Sequence, residues 1–233
     1  LAWIYNMRKY LLHVLIISFV FLLAPTVHVA SYAGELEDAK EDVRKNPDDA
    51  EAHFNLGYAY YKSGMYEEAI ELFKQAIEID PDDAYAHSGL GVAYGELDKY
   101  EEAIKSHKQA IRIDPDYAKA HTNLGVAYCE LGKYKEAIES CKQAIRIDPD
   151  LAYAHYNLGV AYGELDKYEE AIESCKQAIR IDPDFADAYY NLGLSYLLLN
   201  DIDSALKQYK ILKKLDTEWA KMLLDYIDKH TQP

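Results

Sequence analysis

The chain has few basic residues and few cysteines. Its 233 residues include 25 Lys and Arg against 40 Asp and Glu, which gives a formal net charge of −15 at pH 7, and only three Cys. Such an acidic chain repels phosphate backbones, so we predict no nucleic-acid partner. The sequence also lacks a Gly-rich phosphate loop, a Gly-x-Ser-x-Gly motif and a His-Glu-x-x-His motif. We therefore predict no catalytic residue, no metal site and no cofactor.

Apolar residues make up 50% of the chain and charged residues 28%, a balance that excludes wholesale disorder. No stretch shows a β-branched alternation, so we expect no strands. Among the aromatic residues, 22 Tyr stand against five Phe. A tyrosine ring with its polar tip suits half-exposed packing and contact surfaces.

Residues 1–33 have the order of an export signal. Met7-Arg8-Lys9 is a short basic start, residues 11–23 are almost wholly apolar, and Ser31 and Ala33 are the small residues that a signal peptidase recognises. We predict cleavage after Ala33 and an exported protein, either periplasmic or extracellular.

The alternative is an uncleaved inner-membrane anchor over residues 11–30. The apolar run 11–23 is shorter than the roughly 20 residues that span a bilayer, and a longer span would include Pro25 and His28. If this segment is not cleaved, it is the one part of the protein that we expect to contact the membrane. Residues 1–6 precede the first Met and are interpreted as an over-called start.

From residue 50 onward the sequence repeats itself every 34 residues. The nonapeptide KQAIRIDPD occurs at residues 108–116, 142–150 and 176–184. A longer segment, GVAYGELDKYEEAI, occurs at residues 91–104 and 159–172. Chance does not produce such copies, so the chain is an array of one structural unit.

Each unit is predicted to form two helices. In the third unit, apolar side chains recur at helical spacing over residues 118–131, and Gly132-Lys133 marks a turn. Residues 134–147 then carry the apolar stripe of an amphipathic helix. Asp148-Pro149 ends the unit, because the residue before a proline is disfavoured in the α region.

This period, the helix pair and the Asp-Pro punctuation resemble the tetratricopeptide (TPR) family over about residues 50–219. The resemblance implies an all-α fold, a right-handed α-solenoid of five helix-turn-helix repeats with capping helices. The small residues of the family fall on first-helix glycines such as Gly125 and Gly159, and on second-helix alanines such as Ala137 and Ala171. We expect Gly opposite Ala to let the two helices approach closely.

The large second-helix residue of the family varies along this chain. Phe73 holds the position in the first repeat, and His107, Cys141, Cys175 and Tyr209 hold it in the others. We expect looser packing in these later repeats.

Both ends of the array need a cover, since a repeat array exposes an apolar face at each end. Residues 34–49 are predicted to form an N-terminal capping helix, with the helical part over residues 35–45. Residues 218–233 are predicted to form a C-terminal capping helix that turns Trp219 and Leu223 inward.

Four histidines recur with the repeat period: His53, His87, His121 and His155. Packed helices lie about 8–10 Å apart, whereas zinc ligands lie about 2 Å from one ion. We therefore interpret the histidines as packing residues.

The three cysteines, Cys129, Cys141 and Cys175, are predicted to be buried free thiols. Cys141 and Cys175 are repeat copies, and the spacing of neighbouring repeats exceeds the roughly 7 Å limit for a disulfide. An intermolecular disulfide through Cys129, which is expected to face the groove, remains the alternative.

The resemblance implies that the first helices line the concave surface of the array. Aromatic rings there give contact area at low entropic cost, and amides can hold a peptide backbone. The predicted peptide-binding residues are Phe54, Asn55, Tyr58, Tyr61, Tyr85, Asn123, Tyr153, Tyr156, Asn157, Tyr190, Asn191 and Leu194. Five acids accompany Lys62 and Lys119 on this face, so we expect a basic or apolar-aromatic partner.

Some TPR domains bind the C-terminal carboxylate of a chaperone peptide through Lys, Asn and Arg. Here the usual second Asn is replaced in every repeat and no Arg lines the groove, so this ligand class is not expected. The replacing residues are Tyr58, Val92, Val126, Val160 and Leu194.

The predicted function is a non-enzymatic protein–protein interaction scaffold that binds a partner peptide or segment in its groove. The alternative is a self-assembling structural subunit, a homo-oligomer formed by end-to-end stacking of the near-identical repeats.

Overall fold

The computed structural model describes residues 25–231, with side chains from Gly34 onward. Throughout this range the regular structure is helical, with 12 helices and no strand, which confirms the predicted all-α fold of paired helices. The helices are α1 Pro25–Lys45, α2 Ala50–Lys62, α3 Tyr66–Ile79, α4 Ala84–Gly95, α5 Tyr100–Ile113, α6 Ala118–Glu130, α7 Tyr134–Ile147, α8 Ala152–Glu164, α9 Tyr168–Ile181, α10 Ala186–Leu198, α11 Ile202–Leu215 and α12 Thr217–Thr231.

The described part of the chain divides into two compact units, the first ending at Leu97 and the second beginning at Asp98. In the first unit, helices α1 to α4 each pack on the next, and α2 also touches α4. In the second unit, helices α5 to α12 pack consecutively in the same way. There the first helices of successive repeats, α6, α8 and α10, also lie side by side.

Successive repeats are joined by a turn at each Asp-Pro. The residue before the proline is extended, as at Asp148 with φ −129° and ψ 96°, and its Oδ1 accepts a hydrogen bond from Asp150 N at 3.1 Å. The turn at Asp182 repeats this geometry, with Asp184 N also at 3.1 Å. The carboxylate thus satisfies a backbone donor that the proline turn leaves outside a helix.

Within a repeat, the two helices are joined by a tight turn with one residue in the left-handed region. That residue is Gly132 (φ 68°) in the third repeat and Asp166 (φ 61°) in the fourth. The sequence therefore places Gly or a short polar residue where a Cβ would cost energy.

The glycines of the first helices allow the close approach that the sequence predicts. A Cβ added at Gly125 would lie 2.6 Å from Cys141 Sγ, and one added at Gly159 would lie 2.8 Å from Cys175 Sγ. Both sulfur-bearing residues are fully buried. The expectation of looser packing at these positions is therefore wrong, because the small thiol is matched by a helix without a Cβ.

Many of the tyrosines join neighbouring repeats. Lys142 Nζ of α7 lies 5.8 Å from the ring centroid of Tyr162 on α8, and Lys176 Nζ of α9 lies 6.0 Å from the ring of Tyr196 on α10. Such cation–π contacts are worth about 0.5–1 kcal/mol each at exposed sites.

The N-terminal helix is longer than expected. Helix α1 begins at Pro25 rather than near residue 35, and proline is favoured at a first helical position because its missing N–H needs no partner there. The predicted cleavage point after Ala33 falls inside α1. Residues 1–24 of the predicted export signal lie outside the described residues, so cleavage and anchoring both stay predictions.

The C-terminal helix α12 covers the second unit. Ala220, Leu223 and Ile227 are buried against α10 and α11, whereas Asp225 and Lys229 are exposed.

Candidate functional site

The first helices of the repeats carry the most exposed aromatic side chains of the described residues. We call the surface formed by α2 and α4 the first-helix surface of the first unit, and the surface formed by α6, α8 and α10 the first-helix surface of the second unit. Tyr58 of α2 is 49% exposed, Tyr85 of α4 is 59% exposed and Tyr153 of α8 is 46% exposed. Large rings at such exposure are available for contact with another molecule.

In the first unit, Tyr58 belongs to an aromatic cluster. Its ring stacks on Tyr61 with centroids 6.4 Å apart, and Lys62 Nζ lies 5.3 Å from the Tyr58 centroid. Tyr61 Oη donates a hydrogen bond to Glu96 Oε1 at 3.1 Å, and burial beside this carboxylate raises the Tyr61 pKa. Tyr61 is therefore fixed, and its ring supports that of Tyr58.

The remaining predicted residues of the first unit differ in exposure. Phe54 is half-buried against Phe73, with ring centroids 5.6 Å apart, whereas Asn55 is exposed on α2. The first unit thus presents Asn55, Tyr58 and Tyr85 outward and uses Phe54 mainly for packing.

In the second unit, the predicted exposure of three residues is wrong. Tyr156 and Tyr190 are 7% and 0% exposed, and Asn157 is 6% exposed. Tyr156 packs on Phe185 at 5.0 Å between centroids, and Tyr190 packs on Trp219 at 4.4 Å. The neighbouring helices of the array bury these rings, so they hold the repeats together.

The amide side chains are used within their own helices. Asn157 Nδ2 donates to Tyr153 O at 2.7 Å, and Asn191 Nδ2 donates to Asp187 O at 3.1 Å. Asn123, Asn191 and Leu194 are half-buried. The amides that were expected to hold a peptide backbone thus have a local partner in at least two repeats.

A row of Tyr–Glu pairs at the C-terminal ends of the first helices was not predicted. In the second unit, Tyr100 lies near Glu130 and Tyr134 lies near Glu164 of the following repeat, and burial beside these carboxylates raises the pKa of both tyrosines. Tyr100 Oη donates its hydrogen bond to Asp98 Oδ1 at 2.7 Å. Tyr66 and Glu96 form the corresponding pair of the first unit. The recurring separation of 30 residues between these Tyr and Glu residues could have revealed the pairing.

Glu130 has the most perturbed carboxyl of this row. Burial raises its pKa to about 7, although the neighbouring Tyr100 hydroxyl opposes the shift. Its Oε1 is buried and finds no hydrogen-bond partner among residues 34–231. The nearby Asp98 carboxylate raises the pKa further.

The first helices of the second unit also carry a row of apolar side chains, one helical turn before the row of glutamates. Val126, Val160 and Leu194 occupy the same position on α6, α8 and α10, and each is half-buried. In the fifth repeat, Leu198 takes the place of the row's glutamate and is 49% exposed. The second unit therefore combines a carboxylate row with an exposed apolar end.

The cysteines are buried and unpaired, as predicted. Burial raises the pKa of the Cys141 and Cys175 thiols to about 12, and that of Cys129 well above its ordinary value. Cys129 is 4% exposed, so the expectation that it faces the groove is wrong.

The repeated histidines have a structural role, as predicted. The Nε2 atom of His121 lies 3.0 Å from Pro115 O and that of His155 lies 3.0 Å from Pro149 O. Each ring therefore fastens the Asp-Pro turn to the helix that follows it. Among residues 34–231 no group of three His, Cys, Asp or Glu side chains is arranged to hold a metal ion.

Over the described part of the chain, every helix is too short or too polar to cross a lipid bilayer.

The repeat architecture is that of a helical array, and comparisons with known proteins identify the family. Models described as TPR repeat match residues 58–98, 96–132 and 125–166. Models described as Tetratricopeptide repeat match residues 43–71, 152–185 and 174–207. Together the matches span more than half of the sequence, so the chain belongs to the tetratricopeptide repeat family.

Solved structures share the fold over most of the chain. MamA is 29% identical, with 71% of this chain and 97% of MamA covered at a TM-score of 0.63. TTC0263, a thermophilic TPR protein of Thermus thermophilus, is 25% identical. The match covers 76% of this chain and 98% of TTC0263, with a TM-score of 0.64. YrrB, a TPR protein with an unusual peptide-binding site, is 22% identical. The match covers 82% of this chain and 99% of YrrB, with a TM-score of 0.62, and at this identity it shows the fold alone. No curated protein matches the chain.

Proposed function

We propose that this TPR protein is a non-enzymatic scaffold in which the first-helix surface of each unit can bind an extended segment of a partner protein. The observation that carries the proposal is the exposure of Tyr58, Tyr85 and Tyr153, all on first helices. Tyrosine is enriched among the residues that dominate binding energy at protein interfaces.

The aromatic side chains that stack on Tyr153 and Tyr58 also favour binding of a partner. Tyr153 stacks on the buried Tyr156 and on Phe185, with centroids 5.9 Å and 6.3 Å apart. Tyr58 is stacked on Tyr61, which is tied to Glu96. A ring already held in place loses little conformational entropy when a partner covers it.

A selection from a random dodecapeptide library displayed on phage tests the proposal, with the purified chain immobilised. Peptides that bind are then titrated by fluorescence polarisation against a variant with Tyr58→Ala, Tyr85→Ala and Tyr153→Ala. We expect binding to weaken at least about tenfold for a peptide on either unit, because the variant lacks the exposed rings of both.

The matched control truncates apolar side chains of similar exposure on second helices. Ile79 is 40% exposed on α3 and Ile211 is 37% exposed on α11. The variant with Ile79→Ala and Ile211→Ala should bind the same peptides as the native chain does. A library that yields no binder, or equal affinity for the tyrosine variant, would refute the proposal.

Export of the protein is part of the proposal and rests on residues 1–33 alone. N-terminal sequencing of the protein purified from cell fractions should find Gly34 as the first residue in the exported fraction. A chain that keeps Met7 and sediments with membranes would favour the anchored alternative.

End-to-end self-assembly is the second candidate. In the second unit the exposed side of α12 presents charged residues such as Lys221, Asp225 and Asp228, which disfavour stacking at that end. Light scattering over a concentration series tests it, and a monomer throughout would count against it.

A further inference from the structure

We propose that the second unit recognises a segment with two basic side chains and one large apolar side chain, each three residues from the next. The two basic groups lie over Glu130 and Glu164, and the apolar group lies over Leu194 and Leu198. This inference rests on the proposed function and assigns the chemistry of the partner.

The electrostatics of the surface favour a cation at two of the three positions. Glu130 is the last residue of α6 and Glu164 is the last residue of α8. The C-terminal end of a helix carries the negative pole of its dipole, so a positive group there is stabilised by carboxylate and helix together. The nearby Asp98 carboxylate adds negative charge beside Glu130.

The overall charge of this part of the first-helix surface is complementary to a basic segment. In the second unit it carries Glu130, Glu164 and Asp187, whereas Lys119 stands at its far end, in the first turn of α6. All three acids are half-buried, and a charge removed in part from water interacts more strongly with an opposite charge.

The third position is apolar because the repeat consensus changes there. The glutamate at the end of α6 and α8 becomes Leu198 at the end of α10, and half of this side chain is exposed. Leu194 lies one helical turn earlier on the same face and is half-buried. A buried apolar side chain of the partner would gain about 25 cal/mol for each Å² of surface removed from water.

The spacing of the three positions sets the spacing in the partner. Helices α6, α8 and α10 lie side by side, and packed helices are about 8–10 Å apart. An extended polyproline II segment rises about 3.1 Å per residue and repeats every three residues, so every third side chain points the same way at intervals of about 9 Å. The expected pattern is basic-x-x-basic-x-x-apolar, in either chain direction.

The dodecapeptide selection described above tests this pattern by its composition. We expect the selected peptides to share basic-x-x-basic-x-x-apolar and to bind less tightly as salt is raised. The double variant Glu130→Gln and Glu164→Gln should weaken their binding about tenfold or more, since both charge pairs are lost. Its control, Glu136→Gln and Glu173→Gln, changes exposed acids on second helices and should leave binding unchanged.

The variant Leu198→Glu gives the fifth repeat the glutamate of its neighbours. It should weaken binding of peptides with the apolar residue and strengthen binding of peptides with a third basic residue in its place. A merely structural role of Leu198 would not reverse this preference.

The outcomes separate the two proposals. Peptides that depend on the exposed tyrosines, yet lack the basic pattern or bind the glutamine variant equally well, overturn this inference and leave the proposed function standing. A library without any binder overturns both.

Discussion

Adding a methyl group at two glycines of the same helix should change stability in opposite directions. Gly159 and Gly163 both lie on α8, four residues apart. A Cβ at Gly159 would lie 2.8 Å from Cys175 Sγ and 3.3 Å from Ala171 O, whereas a Cβ at Gly163 would meet nothing within 4 Å. The two positions therefore separate the cost of a clash from the gain in helix propensity.

The magnitudes follow from these contacts. Overpacking of a well-packed core costs about 1–3 kcal/mol, and replacing Gly by Ala in a helix gains up to about 1 kcal/mol. Cys175 is fully buried and cannot swing aside. We expect Gly159→Ala to lower the free energy of unfolding by about 1–2 kcal/mol and Gly163→Ala to raise it by up to about 1 kcal/mol.

Urea denaturation followed by circular dichroism measures both changes as shifts in the midpoint. The variant Cys175→Ala supplies the third corner of a double-mutant cycle. Because it removes the sulfur that the new methyl group would strike, Gly159→Ala should cost much less in that background. Equal effects of the two glycine substitutions, or an unchanged cost of Gly159→Ala without the sulfur, would refute the reasoning.

Three further predictions concern buried titratable groups. Burial lowers the pKa of His107 from 6.5 to about 4, so the unfolded chain takes up a proton at this residue before the folded chain does. The free energy of unfolding should therefore fall by up to about 3 kcal/mol as the pH drops from 6.5 to 4. The variant His107→Cys, which has the residue of the next two repeats, should remove this fall from a plot of the urea midpoint against pH. Burial raises the pKa of Glu130 from 4.5 to about 7, so its stability penalty appears as pH rises through this range. Glu130→Gln should therefore stabilise the protein at pH 8 by about 1–2 kcal/mol after allowance for solvent screening, and hardly at pH 4, while Glu96→Gln at the exposed equivalent position serves as the control. The three thiols should react with a disulfide reagent only in denaturant, and fast reaction of the native chain would contradict their burial.

Sequence alone predicted the helix pairs because their signal is repeated in every unit. The predicted second helix of the third repeat, residues 134–147, agrees with α7, and the predicted first helix, 118–131, ends one residue beyond α6. The apolar stripe, the turn glycine and the Asp-Pro pair mark the same boundaries, so local preferences and packing coincide.

The exposure of individual first-helix residues could not be predicted in the same way. A first helix is covered on several sides: by its own second helix, by the preceding repeat and by the following first helix. Tyr156 is buried by Phe185, which belongs to the turn that starts the next repeat, and Tyr190 is buried by Trp219 of the capping helix. Cys129 is buried for a similar reason, and no periodicity within one helix reveals such neighbours.

The first-helix surface separates positions that hold the array together from positions that are free to vary. The position of Gly125 and Gly159 faces a buried sulfur in the next helix, so its residue is fixed by packing. The second residue of each first helix, in contrast, is aromatic, basic or acidic in turn, and it is half-buried or exposed in every repeat: Glu51, Tyr85, Lys119, Tyr153 and Asp187.

The residue at the C-terminal end of each first helix varies in the same manner, with Lys62, Glu96, Glu130, Glu164 and Leu198 in chain order. The exposure of these positions varies too, since Glu96 and Leu198 are exposed whereas Glu130 and Glu164 are half-buried. In the second unit, a partner that lies across the first helices would meet two carboxylates, Glu130 and Glu164, and then the apolar Leu198. Recognition is therefore expected at the variable, exposed positions of the first helices, and the buried positions of each helix supply the rigid support beneath them.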